Sequence, residues 1–339
     1  MPASIKDVAQ KAGVSTATVS RVLNQAGKVS AETRRKVLGA VASCHYVPNA
    51  NAQQLKRSTS RNICLCVRGI TNPFFAAFLR VIERQISLRG YPLLIEAVDD
   101  SQDELAVAQR VLNERRLCGL LFLGGTYLHQ AEDFMRLGEV PRVLMTFNAP
   151  ASVDRELYSS VIVADRDISR QAVRHLADLG HRRIAFMAKS PFEENTTGHL
   201  RMSGYQDALK DAGLPFDPSL VFDCEYRPDS GFSSMKAALT LADPVSAVFA
   251  AADTIAIGAA KAVLSQGLSI PRDVSIIGFD GIDMAEYYHP SLDTVLQPAE
   301  TMAKRAVEIL FELINGGANQ HIVLPAELAR RGSTGPALL

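Results

Sequence analysis

Apolar residues recur at helical spacing near the N-terminus, and Gly13 ends the first predicted helix. Ser15 can cap a second helix, and Ser30 can cap a third that ends near residue 46. Two short helices joined by a glycine-containing turn, with a third helix bracing them, are typical of helix-turn-helix geometry. The pattern therefore predicts a three-helix head over residues 1–47.

The next segment, residues 48–61, is polar, and Leu55 is its only large apolar side chain. Such a segment cannot bury enough apolar surface to form a stable helix by itself. We therefore predict a hinge that is either a linker or a helix that forms only on a partner.

From Asn62 onward, apolar runs of strand length alternate with amphipathic helical stretches such as residues 75–88 and 255–265. Near-continuous apolar strands with helical crossovers indicate an α/β fold with parallel sheets covered on both faces. There are enough units for two doubly wound subdomains in a core over residues 62–339. The expected division is an N-subdomain of about 62–157 plus 295–320 and a C-subdomain of about 158–294 plus 321–339.

Charge is unevenly spread along the 339 residues. The 36 Lys and Arg balance the 36 Asp and Glu, so the formal net charge is zero, which by itself argues against nucleic acid. Residues 1–61, however, carry a net charge of +8, and the remainder carries −8. A basic head on an acidic body instead points to a nucleic-acid partner.

The sequence also bears on compartment and cofactors. The N-terminus has no apolar signal-peptide core, and no run approaches the roughly 18 apolar residues of a membrane span. The five cysteines are scattered, which favours reduced core thiols over a metal site. We expect a cytoplasmic protein with no membrane partner, metal or cofactor.

The second predicted helix carries side chains suited to reading DNA. Arg21 can form a bidentate bond to guanine, while Ala17 and the Thr16 methyl group can meet thymine methyls. Short hydroxyls suited to phosphate oxygens lie beside them: Ser15, Thr18 and Ser20. The alternative is that these residues only cap and solvate the helix, but the +8 charge of the head weighs against it.

Two long stretches carry a family pattern: IKDVAQKAGVSTATVSRVLNQAGKVSAETRRKVLGAV (residues 5–41) and YVPNANAQQL (46–55). Four shorter ones follow: TNPFF, GHRRIAF, DTIAIGAAKAV and PRDVSIIGFDGID. The chain thus resembles the lactose/galactose repressor (LacI/GalR) family over nearly its whole length. The resemblance implies a transcriptional regulator, most simply a repressor. It would bind a pseudo-palindromic operator as a homodimer and respond to a small-molecule effector, a sugar or sugar derivative.

The resemblance also assigns DNA contacts. Thr16, Ala17 and Arg21 match the base-reading positions, and the backbone contacts match Ser15, Thr18, Ser20 and Asn24. Leu55 matches the hinge leucine that wedges into the minor groove at the operator centre. This agrees with a lone apolar side chain in a basic segment, which can insert between base steps. The alternative is that Leu55 packs against the dimer partner or the body.

The body would resemble type I periplasmic sugar-binding proteins, with an effector cleft at the carboxyl ends of the strands. The resemblance implies these effector contacts: Phe74, Phe75, Phe147, Asn195, Thr197, Arg201, Tyr226, Asp253 and Asp280. Two alternatives stay open, namely that Phe74 and Phe75 belong to the core and that Asp253 caps a helix. Additional cations modestly raise the chance of an acidic effector: Arg68, Lys189, His199 and Arg201.

Other classes of protein fit less well. The sequence has no phosphate-binding glycine loop, no nucleophile elbow and no metal-binding helix motif, so we do not expect an enzyme. A solute-binding protein for transport would explain the body but not the basic head, and it would need an export signal.

Overall fold

The computed structural model describes residues 3–23, 29–44, 46, 61–99, 101–126, 129–194 and 196–338. The chain divides into two compact units, Met1–Ser60 and Arg61–Leu339. Apart from Arg61, the predicted hinge lies outside the described residues, and the predicted contacts Asn24, Leu55 and Asn195 lie outside them as well.

The first unit contains helices α1 (Ile5–Ala12), α2 (Thr16–Leu23) and α3 (Ala31–Ser43). Gly13 ends α1 in the left-handed region, with φ 65°, which a glycine adopts without strain. Both predicted caps are confirmed, because the hydroxyls of Ser15 and Ser30 each accept a backbone N–H at 3.2 Å. The inner faces of the helices enclose a small apolar core: Val8, Ala9, Val19, Val22, Val37 and Ala40.

The second unit is built from alternating strands and helices. The strands are β1 (Asn62–Arg68), β2 (Leu93–Val98), β3 (Leu117–Leu123), β4 (Arg142–Met145), β5 (Ser159–Val163), β6 (Ile184–Ala188), β7 (Val221–Asp223), β8 (Ala247–Ala250), β9 (Ser275–Asp280), β10 (Asp293–Leu296), β11 (His321–Leu324) and β12 (Glu327–Ala329). The helices are α4 (Phe75–Leu88), α5 (Glu104–Glu114), α6 (Ala131–Met135), α7 (Asp165–Asp178), α8 (Thr197–Asp211), α9 (Pro228–Leu239), α10 (Asp253–Ser265), α11 (Asp283–Tyr287) and α12 (Ala299–Ile314).

These strands form two six-stranded sheets. The first has the order β11-β5-β4-β3-β1-β2 and is parallel throughout. The second has the order β12-β10-β9-β8-β6-β7, and only β12 runs antiparallel to its neighbour. The chain passes between the two subdomains three times, after β5, after β10 and after β11.

Helices cover both faces of the first sheet, as the continuous apolar strands predict. Leu65 and its alternate neighbours in β1 belong to the cluster that includes Phe78 of α4 and Leu310 of α12. Cys64 and Cys66 point to the other face and join the cluster of α5. The period-two alternation of a strand therefore divides β1 between two apolar layers.

The subdomain boundaries differ from those expected from the sequence. β5 and β11 were expected in the C-subdomain, but β5 pairs with β4 in the first sheet and β11 pairs with β5 at its edge. β10, which the expected boundary cuts at residue 294, lies wholly in the second sheet. Backbone hydrogen bonding between strands determines which sheet a strand joins. An apolar run in the sequence predicts a buried strand but does not indicate its pairing partner.

All five cysteines are free. Within the described ranges, no helix is long and apolar enough to cross a membrane, and no cluster of His, Cys, Asp or Glu could hold a metal ion.

Candidate functional site

Helix α2 presents the predicted base-reading residues on its outer side. Thr16, Ala17 and Arg21 are exposed, whereas Val19 and Val22 of the same helix are buried in the head core. This division follows from the amphipathic pattern, which places the apolar positions inward. The three polar or small side chains are therefore accessible to a DNA groove.

The predicted phosphate-contacting hydroxyls serve the helix as well. The hydroxyls of Ser15 and Thr18 lie 2.9 Å apart, and Ser15 also caps α2. Ser15 is exposed, while Thr18 and Ser20 are half-buried. The capping interpretation is thus correct for Ser15, and its exposed hydroxyl can still donate its proton to a phosphate oxygen when Thr18 is the donor of their shared bond.

Arg201 is the centre of a buried charged cluster in the second subdomain. It extends from α8, is only 5% exposed, and its Nε donates to Asp165 Oδ1 at 2.8 Å. Its Nη1 donates to the carbonyl of Ala251 at 2.5 Å and lies 4.0 Å from Asp280 Oδ1. The guanidinium therefore joins the start of α7 to the carboxyl ends of β8 and β9.

Asp280 ends β9 with an unusual backbone. Its φ is 112°, a region that costs a non-glycine residue about 1–3 kcal/mol and is found most often at functional sites. Gln297 Nε2 donates to its Oδ1 at 2.9 Å. Burial raises the pKa of Asp280 to about 8, against the opposing effect of Arg201. The carboxyl group therefore keeps its proton to a higher pH than an ordinary aspartate does.

Asp253 forms structural hydrogen bonds inside the second subdomain. It is the first residue of α10 and is fully buried. Its Oδ2 accepts the backbone N–H groups of Gly281 and Ile282, both at 2.8 Å, and its Oδ1 accepts the Thr294 hydroxyl at 2.6 Å. The carboxylate neither caps its own helix nor reaches solvent, and it holds in place the loop that follows Asp280.

Three phenylalanines close the amino end of α4. Phe74 and Phe75 are 6% and 8% exposed, and each packs edge-on against Phe78. Phe75 also contacts the loop after β3 at Gly124. Most of the surface of Phe74 and Phe75 is therefore buried in the core, as the core interpretation predicts. An effector contact for these two residues stays a prediction.

Phe147 follows β4, at the carboxyl edge of the first sheet. Thr146 just before it has φ 69°, an outlier for a β-branched residue, and it follows directly on Met145, the last residue of β4. A Cβ on Gly125 would lie 2.3 Å from the Phe147 ring, so the ring packs directly on that loop. We call Arg68, Gly125 and Phe147 the first-subdomain wall.

The two subdomains meet next to this wall. Leu200 of α8 packs against the apolar cluster of the first subdomain that includes Phe147. Thr197, which is half-buried, and Arg201 lie in the first turns of the same helix. Tyr226 is half-buried after β7, and its pKa is raised to about 12 by burial. Of the predicted effector residues, Arg201 and Asp280 thus lie together in one buried cluster.

Within the described part of the chain, each of the cations named from the sequence at these strand ends except His199 has a carboxylate partner. Arg68 Nη2 lies 2.6 Å from Glu104 Oε2, and Lys189 Nζ lies 2.7 Å from Glu225 Oε2. Arg201 is paired with Asp165, as described above. His199 Nδ1 lies 3.2 Å from the carbonyl of Pro191.

Several residues around Arg201 and behind the first-subdomain wall do not stand out in the sequence. Asp165 and Glu104 look like ordinary acidic residues in the first turn of a helix, where they are favoured by the helix dipole. Gln297 follows a strand by one position and His129 lies in a loop. Of these four residues, only Asp165 and Gln297 could have been identified as site candidates from the sequence, because each follows the carboxyl end of a strand.

A helix-turn-helix head joined to a two-sheet body with polar residues at facing strand ends defines a ligand-responsive DNA-binding regulator. Residues 4–49 match the profile of bacterial regulatory proteins of the lacI family, and residues 173–334 match a periplasmic binding protein-like domain. The chain belongs to the LacI family.

Individual relatives match nearly the whole length of the chain. The HTH-type transcriptional regulator MalR of Clostridium butyricum is 35% identical over 334 residues, which cover 97% of this chain and 98% of MalR. The structure of the Lac repressor dimer bound to operator and the anti-inducer ONPF has 28% identity and a TM-score of 0.83, covering 99% and 100% of the two chains. The complex of the regulator CelR with cellobiose has 31% identity and a TM-score of 0.72, covering 98% and 99%.

The predicted fold and function class are thereby confirmed. The protein is a DNA-binding transcriptional regulator with a helix-turn-helix head and two parallel-sheet subdomains, and it is not an enzyme, because its relatives are transcriptional regulators.

Proposed function

We propose that the protein is a repressor that binds a pseudo-palindromic operator as a homodimer, and that a neutral, hydroxyl-rich effector in the cleft changes its operator affinity. The cluster around Arg201, which joins three strand and helix ends of one subdomain, is the observation that carries the effector part. Since its partner is chromosomal DNA, we expect it to act in the bacterial cytoplasm, on the nucleoid.

The DNA part rests on α2 and on the charge of the head. Exposed Thr16, Ala17 and Arg21 offer base contacts, and residues 1–61 carry +8 for phosphate contacts. Neutralising phosphates releases counterions, so operator affinity should fall steeply as salt is raised. The acidic body adds no attraction for DNA, which confines binding to the head and the hinge.

The homodimer follows from how one recognition helix reads DNA. A single α2 covers one half-site, and a two-fold dimer places two of them one helical turn apart on a pseudo-palindrome. Large apolar side chains are available for a second copy to cover, since Ile95 on edge strand β2 is 46% exposed and Tyr287 on α11 is 83% exposed. The Lac repressor, a structural neighbour, is described as a dimer on its operator.

The effector class follows from the charges. The cations Arg68, Lys189 and Arg201 are each neutralised by a nearby carboxylate, which leaves little net positive charge for an acidic ligand. Polar donors and acceptors beside the rings of Phe147 and Tyr226 instead suit the hydroxyls and the apolar faces of a neutral sugar or nucleoside. This departs from the modest preference for an acidic effector that the residue types alone suggest.

Control of DNA binding would arise from subdomain orientation. The cleft lies between two subdomains joined by three crossings, so a ligand that contacts both favours one relative orientation. If the two orientations hold the paired hinges differently, effector and operator affinities are coupled by the same free energy in both directions.

The experiment has two arms. In vitro selection from random DNA followed by a mobility shift tests for specific operator binding, and no enrichment of a two-fold-related motif would refute the repressor. A thermal-shift screen compares matched pairs such as ribose with ribose 5-phosphate and glucose with gluconate, because a ligand that binds the folded state raises its melting temperature. We expect stabilisation only by the neutral members, and stabilisation by only the anionic ones would refute the proposed class.

A further inference from the structure

A buried carboxylate ties together three segments behind the first-subdomain wall. Glu104, at the start of α5, is 1% exposed. Its Oε2 accepts Arg68 Nη2 from the end of β1 at 2.6 Å. Its Oε1 accepts the backbone N–H of Thr126 at 2.6 Å and lies 2.8 Å from His129 Nε2, both in the loop after β3.

This arrangement determines where the wall lies. A Cβ placed on Gly125 would be 2.6 Å from Glu104 Oε1 and 2.3 Å from the Phe147 ring. The carboxylate and the ring therefore both pack closely against Gly125, with no room for a side chain there. If Glu104 released the loop, Phe147 would lose the surface on which it packs, and Arg68 would lose its carboxylate partner.

The charges favour this connection at neutral pH. Burial works against ionisation of Glu104, but hydrogen bonds and charge from His129 and Arg68 outweigh it and lower the pKa of the carboxyl group. Burial likewise opposes a charged His129, yet Glu104, Asp103 and Asp133 raise its pKa above the usual 6.5. His129 Nδ1 lies 3.5 Å from Asp103 Oδ2, so an acceptor is close to each ring nitrogen, as the imidazolium form requires.

The surroundings of His129 contain no further described cation in direct contact. The loop supplies the Thr126 hydroxyl 3.3 Å from Nε2, and α6 supplies the Phe134 ring edge-on and the Asp133 carboxylate. The start of α5 supplies Glu104, the residue before that helix is Asp103, and β1 supplies Arg68 across Glu104.

We propose that Glu104 is the positioning residue of the first-subdomain wall, and that protonation of His129 determines how firmly Glu104 holds that wall. The proposal rests on the proposed function, since it is the effector cleft that the wall lines. It assigns a role in effector binding to two residues, Glu104 and His129, that do not themselves need to touch the effector.

The direction of the pH effect follows from linkage. A histidine whose pKa is raised in the folded state contributes stability that is complete below its unfolded value of 6.5 and is lost as pH rises through the folded value. Glu104, whose pKa is lowered, stays ionised across the same range. The wall should therefore be held most firmly at mildly acidic pH and loosen toward alkaline pH.

Hydrogen–deuterium exchange of the full-length apo protein tests this without any ligand. Peptides covering residues 120–135 and 142–150 are followed at about pH 6 and about pH 8.5 and corrected for intrinsic exchange. In the wild type we expect corrected exchange in these peptides to be about ten-fold faster at the higher pH. His129→Gln, which can still donate to Glu104 but cannot titrate in this range, should abolish that difference.

Glu104→Gln should expose the wall at both pH values, so that its peptides exchange faster than those of the wild type at about pH 6. The control is Glu300→Gln, which removes an exposed carboxylate paired with Arg80 at 2.6 Å in the same unit and should leave the wall unchanged. A wild-type pH response in His129→Gln, or wild-type protection in Glu104→Gln, would overturn the proposal. Failure of the proposed effector class would appear instead in the sugar screen, which is a separate measurement.

Discussion

The guanidinium carbon of Arg201 lies 3.5 Å from the centre of the Phe279 ring. This places the cation over an aromatic face while its edge bonds to Asp165 and to the Ala251 carbonyl. A buried ion pair of this kind costs much desolvation, and it is weak evidence for stability as a pair. Removing one partner is a different matter, because the remaining charges stay buried.

Arg201→Ala should therefore destabilise the protein by about 3–5 kcal/mol, measured as the free energy of urea unfolding. Protonation of Asp165, whose pKa is already raised by burial, sets an upper limit on the loss. The matched control is Arg166→Ala, which breaks an exposed pair with Asp207 and should cost less than about 1 kcal/mol. Equal losses in the two variants would contradict a buried, mutually dependent cluster.

Asp253→Asn tests whether this residue serves the framework. An amide oxygen can replace one carboxylate oxygen, but the NH2 group cannot accept the hydrogen bonds that the other receives from Gly281, Ile282 or Thr294. We expect a loss of about 1–3 kcal/mol in unfolding free energy, the cost of buried donors without acceptors. The exposed Asp229→Asn serves as the control, and equal stability of the two variants would be incompatible with the role assigned to Asp253.

Local patterns in the sequence were sufficient to predict the helices of the head and the helix–sheet layers of the body. Caps at Ser15 and Ser30 and the alternation in β1 are interactions between near neighbours, so a short window of sequence contains them. The strand ends of the cleft also follow from the α/β pattern, since ligand sites of such sheets gather there.

The features that could not be predicted from the sequence depend on contacts between residues far apart along the chain. Asp253 reads equally well as a helix cap or an effector contact, and the answer depends on a loop 28 residues away. Glu104 contacts Arg68 from 36 positions along the chain, and the sheet assignments of β5 and β11 depend on strands separated by about half the chain. No periodicity encodes such contacts, because each results from the packing of the whole subdomain.

Asp280→Asn should change how stability depends on pH. In the folded state the carboxyl pKa is about 8, whereas its ordinary value is 3.8, so between these values the unfolded chain ionises while the folded protein keeps the proton. Wild-type stability should therefore decline with rising pH relative to Asp280→Asn, by at least about 1 kcal/mol between about pH 5 and about pH 7.5.

Urea unfolding of both proteins across this range measures the difference. The histidines with lowered pKa values, such as His181, are common to both proteins and cancel. Parallel stability curves would show that the Asp280 carboxyl ionises in the fold as it does in water.

Gly125→Ala tests the close packing of the first-subdomain wall. Its Cβ would collide with the Phe147 ring and with Glu104, and overpacking of this kind costs about 1–3 kcal/mol. The urea midpoint should therefore fall. In Gly332→Ala the nearest atom to the new Cβ is 3.6 Å away, so that midpoint should hardly move. A neutral Gly125→Ala would mean that the wall has room to adjust.

Arg21→Ala tests direct reading of the operator. Arg21 is exposed on α2, and a bidentate contact to guanine contributes about 1–3 kcal/mol of discrimination at one base pair. Selection from random DNA should therefore return a motif relaxed at one position in each half-site, with the other positions unchanged. Arg35→Ala, which removes an exposed charge of α3, should instead weaken binding to all sequences and reduce its salt dependence. An unrelaxed motif with uniformly weaker binding would make Arg21 a phosphate contact.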